Sequence, residues 1–211
     1  MEKLETIAER IHRSFEARTA ARERALSQAR TLTRHCAHAV RAIHREDLDE
    51  ARQHLEVAGD IVQALRTDLA QFLDLYYAGY IQDAFKEFAE ANIVYALVTN
   101  GVLPTPEDLL VEDAAYLNGL AEAAGELRRR CLDILRHGYS REAEKMLNHM
   151  DDIYAILITM DYPEAITSGL RRQTDVVRSL IERTRGELTL SWRQEQLEIS
   201  LRNLENRLPD C

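Results

Sequence analysis

Helix breakers are scarce in this sequence. Eight glycines and four prolines occur in 211 residues, and three of the prolines (Pro104, Pro106, Pro163) fall in two short stretches, with Pro209 near the end. Proline removes a backbone donor and glycine costs backbone entropy, so long spans free of both are what helices need. Alternating β-branched runs are missing too, which excludes a sheet-based fold. The three cysteines, Cys36, Cys131 and Cys211, are odd in number and far apart. They lack metal-type spacing and argue against a disulfide framework, and a reducing, cytoplasmic setting is expected. No apolar run approaches ~18 residues and the opening MEKLETIAER is charged from its second residue, so neither membrane span nor secretion signal is expected. Lysine is nearly absent, with only Lys3, Lys86 and Lys145 against many arginines. The net charge of −9 and pI near 5.3 exclude a generally basic nucleic-acid binder, although arginine concentrated on one face can still grip phosphate.

What is present is helical periodicity. Leu4, Ile7, Ala8 and Ile11, then Leu32, Cys36, Val40 and Ile43, recur at three and four, predicting one long helix over about 2–45. A second, with Ala51, Leu55, Ala58, Ile61, Leu65 and Leu69 on one side, is expected to reach Leu75-Tyr76-Tyr77. The third, about 80–100, is apolar almost all round and belongs inside a bundle; it stops at Asn100-Gly101. Thr105-Pro106-Glu107-Asp108 opens a short helix. A fifth, about 113–136, stops at Gly138, and Ser140 caps a sixth that Asp161-Tyr162-Pro163 ends. The last starts at about 164 or 170 and can reach 207. Its Leu197, Leu201, Leu204 and Leu208 make a narrow seam, suited equally to pairing between subunits and to packing within the chain. The pattern is a single all-α domain of about seven helices.

The chemistry-bearing feature is acidic. Asp83, Glu87 and Glu90 lie at i, i+4 and i+7 on the third helix, and Val94 and Leu97 continue the row, so the acids border a buried stripe. A buried carboxylate must be paired, protonated or bound to a cation. Glu122 and Glu126, one turn apart on the fifth helix, share a face with Asn118, Arg129 and Asp133. On the residues alone, pairing with arginine is the simpler account, with Glu126 meeting Arg129 or Arg130. If the two helices pack side by side, four carboxylates converge, and a hard divalent cation such as Mg²⁺ takes such ligands and activates water toward phosphate. A di-iron site needs two Glu-x-x-His motifs in the bundle, and only Glu9 to His12 fits. His35 and His38 read as polar-face or core residues, and no Gly-rich phosphate loop or activated Ser or Cys arrangement is visible.

The run Asp83-Ala84-Phe85-Lys86-Glu87-Phe88-Ala89-Glu90-Ala91 resembles the Q-E-[FY]-[VI]-E-A motif of translin-associated factor X. The run from Tyr116-Leu117-Asn118-Gly119-Leu120-Ala121-Glu122 to Gly125-Glu126-Leu127-Arg128-Arg129 resembles the translin family's Y-L-x-G-[LV]-A-D-x-x-G-E-L-x-R. Asp161-Tyr162-Pro163, Gly169-Leu170-Arg171-Arg172, Ile181-Glu182-Arg183-Thr184-Arg185-Gly186 and Arg41-Ala42-Ile43-His44-Arg45 are similar to prokaryotic members. The resemblance covers most of the chain with its motifs in order. It implies a seven-helix α-α superhelical bundle that assembles into closed octameric shells with nucleic acid inside. Translin proper binds single-stranded RNA and DNA; the factor-X type adds acids, binds Mg²⁺ and cuts RNA.

Carried over residue by residue, Glu87 and Glu90 match the first two acids of that site and Glu126 the acid of the G-E-L motif. Glu122 stands where the family usually has Asp, which moves the carboxylate by about one C–C bond and changes metal geometry. The implied activity is a Mg²⁺- or Mn²⁺-dependent endoribonuclease acting on single-stranded or small structured RNA. Glu87, Glu90 and Glu122 hold the metal, and Glu126 completes the site or acts as general base. Translin's basic and His-rich stretch has no counterpart over 76–86, where Lys86 is the only cation. RNA contacts are therefore sought first at Arg129, then at Arg128, Arg171 and Arg172. The alternatives are a non-catalytic oligomeric binder of single-stranded RNA or DNA, and a helical oligomer whose acids are all paired and whose partner is a protein.

Overall fold

A computed structural model describes residues 1–206, and among these every regular element is a helix. None is long and apolar enough to cross a membrane. The chain divides into two compact units, residues 1–119 and 120–211.

The first unit contains α1 (Glu2–His44), α2 (Leu48–Leu69), α3 (Leu73–Tyr76), α4 (Gly79–Thr99), α5 (Pro106–Leu109) and the start of α6 (Asp113–Leu135). The α1–α2 turn needs a left-handed residue, Glu46 at φ 64°, and is closed by Asp47, whose carboxylate accepts the amide N–H of Glu50 at 3.0 Å. α1 packs on both α2 and α4, and α2 on α4, around Leu32, Ile43, Leu65, Ile81, Phe85 and Ile93. As its all-round apolar character predicts, α4 is buried on several sides. It ends on left-handed Asn100, and Thr105 and Asp108 form a reciprocal capping box around Pro106.

The second helix stops earlier than its periodicity predicts. No Gly or Pro lies between 69 and 78, so the break has a tertiary cause. The chain turns so that the Tyr76 hydroxyl donates to Glu112 at 2.9 Å, while Arg66 donates to that hydroxyl at 3.2 Å and to the Leu110 carbonyl at 2.8 Å. A half-buried network is satisfied at the expense of one helical turn.

The second unit holds the rest of α6, then α7 (Arg141–Leu157), α8 (Glu164–Thr167) and α9 (Leu170–Glu205), with α7 and α8 packed on α9. Ser140 caps α7 by accepting from Glu142 at 3.1 Å. α7 closes at Leu157, short of the expected 160, and Pro163 precedes the separate turn α8. Of the two starts expected for the last helix, 170 is the one observed, after left-handed Ser168 and Gly169. The core of this unit is Leu127, Cys131, Met150, Leu157, Leu170, Val177 and Ile181. The later part of α9 leaves Leu190, Leu197, Leu201 and Leu204 exposed. Leu208, its fourth member, lies outside the described residues.

Candidate metal centre

On α4, Glu87 and Glu90 stand half-buried on one face, and Asp83, a turn earlier, is exposed. Lys86 Nζ is 3.7 Å from Glu87. Both acids act on α1: burial first, then the charges of Glu87 and Glu90, push the buried Cys36 thiol well above its ordinary range. The pair therefore borders the apolar interior of the first unit, where desolvation favours an opposing charge.

Against this stretch of α4 lies Gly119. A Cβ there would stand 2.7 Å from the Lys86 carbonyl oxygen and 2.9 Å from both the Glu90 amide nitrogen and Ala89 Cβ. Two of these three atoms are backbone, so only glycine lets the helices meet this closely. Tyr116 helps to seat the start of α6, its hydroxyl donating to Pro104 O at 2.8 Å, while buried Asn118 donates within the helix to Ala114 O at 2.8 Å. Asn118, on the face it shares with Glu122, is thus a buried residue.

α6 continues without interruption into the second unit, and Glu122 and Glu126 follow Gly119 at i+3 and i+7, on the same helical face. Both are half-buried. Glu122 accepts a hydrogen bond from Gln173 Nε2 of α9 at 3.1 Å, and Glu126 lies 3.7 Å from Arg129. Of the two arginine partners expected for Glu126, Arg129 lies beside it at 3.7 Å, and Arg130 meets Glu142 at 2.9 Å. Oxygen donors of this kind suit Mg²⁺ or Mn²⁺, and sulfur or imidazole is not prominent among them.

No family model matches the sequence. The uncharacterized protein MJ0175 of Methanocaldococcus jannaschii is 32% identical over 169 residues, which are 79% of this chain and 74% of that protein. The crystal structure of AfC3PO, a translin-family protein, is 32% identical with a TM-score of 0.83 over 89% of this chain and 97% of that one. This chain belongs to the translin family. The structure of AfC3PO in complex with duplex RNA gives the same TM-score at 33% identity and the same coverage. Apo-NeC3PO, at 18% identity and a TM-score of 0.80 over 87% of this chain and 96% of that one, shares the fold.

In this translin-family chain the cations expected to meet RNA have different surroundings. Arg129 is exposed on α6 beside Glu126. Arg128 is half-buried and forks onto Glu187 at 2.7 and 2.9 Å, with a further bond to buried Thr184 at 2.7 Å, so it ties α6 to α9. Arg171 and Arg172 are exposed and line a 640 Å³ cleft with Asp161, Tyr162, Glu164 and Asp175. Sequence reasoning missed Gln173, because a glutamine 51 residues from Glu122 carries no spacing signal. It also missed the reason for Gly119, although a lone glycine inside a helical pattern is the signal for a close backbone approach.

Proposed function

We propose that this protein is a Mg²⁺- or Mn²⁺-dependent endoribonuclease that binds single-stranded or small structured RNA within an oligomeric shell. One observation carries the reading. Glu87 and Glu90 are half-buried at the stretch of α4 on which Gly119 seats α6, and Glu122 and Glu126 continue the Gly119 face of that same helix. In this reading Glu87, Glu90 and Glu122 hold the ion, and Glu126 completes its shell or takes the proton of the attacking water. The bound ion supplies Lewis acidity toward the phosphate and lowers the pKa of a coordinated water. Gln173 is a positioning residue: its amide donates to one oxygen of Glu122, the acid that is longer than the family's usual Asp, and so orients that carboxylate.

RNA as the ligand is supported by the duplex-RNA complex of AfC3PO at 33% identity. Arg129 is the first phosphate contact in this reading, with Arg171 and Arg172 at a second patch and Lys86 at the acids. The exposed leucines of α9 supply a surface for self-assembly, an octamer by family resemblance. Arg129 beside Glu126 and Gln173 on Glu122 also suit the alternative, a non-catalytic RNA or single-stranded DNA binder in which those acids serve as structural partners.

The test is cleavage of an end-labelled single-stranded RNA by the wild type and by Glu126→Gln, in Mg²⁺ and in EDTA, with filter binding in parallel. Cleavage by the wild type only with Mg²⁺, reduced about 100-fold or more in the variant while binding persists, is the expected result. Equal binding without cleavage would leave the binding-only reading, and absence of both cleavage and Mg²⁺ binding would reject the metal centre.

A further inference from the structure

A second group of metal-ligating side chains lies in the first unit, between α1 and α2. His35 and His38 sit one turn apart on α1 and are met by His54 of α2, all three half-buried. His35 Nδ1 and His54 Nδ1 are 3.0 Å apart, so one ring donates its N–H to the lone pair of the other. His38 stacks on His54 with centroids 5.0 Å apart and planes at 27°, and the His35 and His54 centroids are 5.1 Å apart. The other nitrogen of His54, Nε2, faces Glu50 Oε1 at 3.8 Å, and Arg45 fixes that carboxylate from its far side at 2.7 Å.

We propose that His35, His38 and His54 form a site for a borderline transition-metal dication such as Zn²⁺, distinct in chemistry and position from the carboxylates. Two imidazole nitrogens on a tetrahedral Zn²⁺, each at about 2.0–2.1 Å, stand about 3.3 Å apart. The Nδ1 pair is therefore within a few tenths of an ångström of ligand spacing, with a proton now between them. His54 has the arrangement that zinc histidines use, one nitrogen toward the ion and the other toward a carboxylate that sets tautomer and ring orientation. His38 supplies the third nitrogen by rotating its half-exposed ring off His54, and water fills the fourth position. Binding moves the shared proton, by exchange with solvent, from His35 Nδ1 to Nε2 of the same ring, so both imidazoles stay neutral and no net proton is released. The charges of Arg34 and Arg41 act on the group, and Glu50, paired with Arg45, is the nearby counter-charge, so the site depends on neutral imidazole donors rather than on attraction of free ions. Imidazole suits Zn²⁺, Ni²⁺ and Cu²⁺ and not Mg²⁺, which keeps the two centres separable. The ion would clamp α1 to α2.

The test uses the tag-free, metal-stripped full chain in 10 mM Mg²⁺, on the order of what keeps weak carboxylate sites filled. Zn²⁺ is titrated against a chromophoric chelator, and Co²⁺ absorption reports nitrogen ligation. One ion per chain is expected. His54→Ala and His35→Asn should each weaken it at least tenfold and abolish the Co²⁺ bands, and Glu50→Gln should weaken it about tenfold through ring orientation. Glu87→Gln should leave it unchanged. Circular dichroism identifies any variant that fails to fold, and the other His variant then decides. Zn²⁺ affinity equal in wild type and in a folded His variant, or absence of a Zn²⁺ site in the wild type, would overturn the proposal without touching the nuclease reading.

Discussion

Residue 119 tolerates no side chain. A methyl group there meets a carbonyl oxygen and an amide nitrogen of α4, and neither can move without disturbing the helix that carries Glu87 and Glu90. Gly119→Ala is expected to destabilise the fold by about 1–3 kcal/mol, as overpacking does. Gly125, also inside α6, has open space around its Cβ position, and Gly125→Ala is expected to stabilise by about 0.5–1 kcal/mol. Urea denaturation of the two variants checks both signs. Cysteine chemistry tests the surroundings of the acids. Cys36 is raised by burial, then by Glu87 and Glu90, and burial pushes the Cys131 thiol up to about 11. Only the thiolate reacts, and below the pKa its fraction falls about tenfold per pH unit. In a Cys211→Ser background the native protein is therefore expected to react slowly with a thiol reagent at pH 8, the rate rising with pH, and fully once unfolded in guanidinium. Prompt reaction of Cys36 in the native state would mean that it is not enclosed between α1 and α4. The four acids were legible from helical spacing and motif. Their partners were not: Gln173 and His54 are brought to Glu122 and His35 by tertiary packing, which no local period encodes.

At the scale of elements, helix ends governed by local chemistry were readable, and ends set by distant contacts were not. Asn100-Gly101, the Thr105–Asp108 capping box and Ser140 all act where the sequence places them. The end of α2 depends on Tyr76 reaching Glu112, 36 residues away, and so lay beyond periodicity. The exposed leucines of α9 give an element-level expectation. Leu197→Glu combined with Leu204→Glu touches no core residue of the second unit, because both side chains are more than half exposed. The doubly substituted protein is expected to keep its helicity and to sediment as a smaller species than the wild type. An unchanged sedimentation coefficient would remove this face from the assembly.

For the molecule as a whole, an acidic chain with net charge −9 belongs to a family in which AfC3PO has been seen with duplex RNA. If a local arginine surface meets phosphate, affinity must fall steeply with salt in spite of the net charge. Under the proposed function, acids from α4 and α6 would serve one ion. A double-substitution cycle on metal affinity tests it most directly, with Mn²⁺ binding measured by electron paramagnetic resonance for wild type, Glu87→Gln, Glu122→Gln and the pair. Ligands of a single ion are coupled, so each single change should weaken Mn²⁺ at least tenfold and the pair should cost much less than the product of the two. Single changes without effect on Mn²⁺ binding, or losses that multiply as at independent sites, would contradict the account.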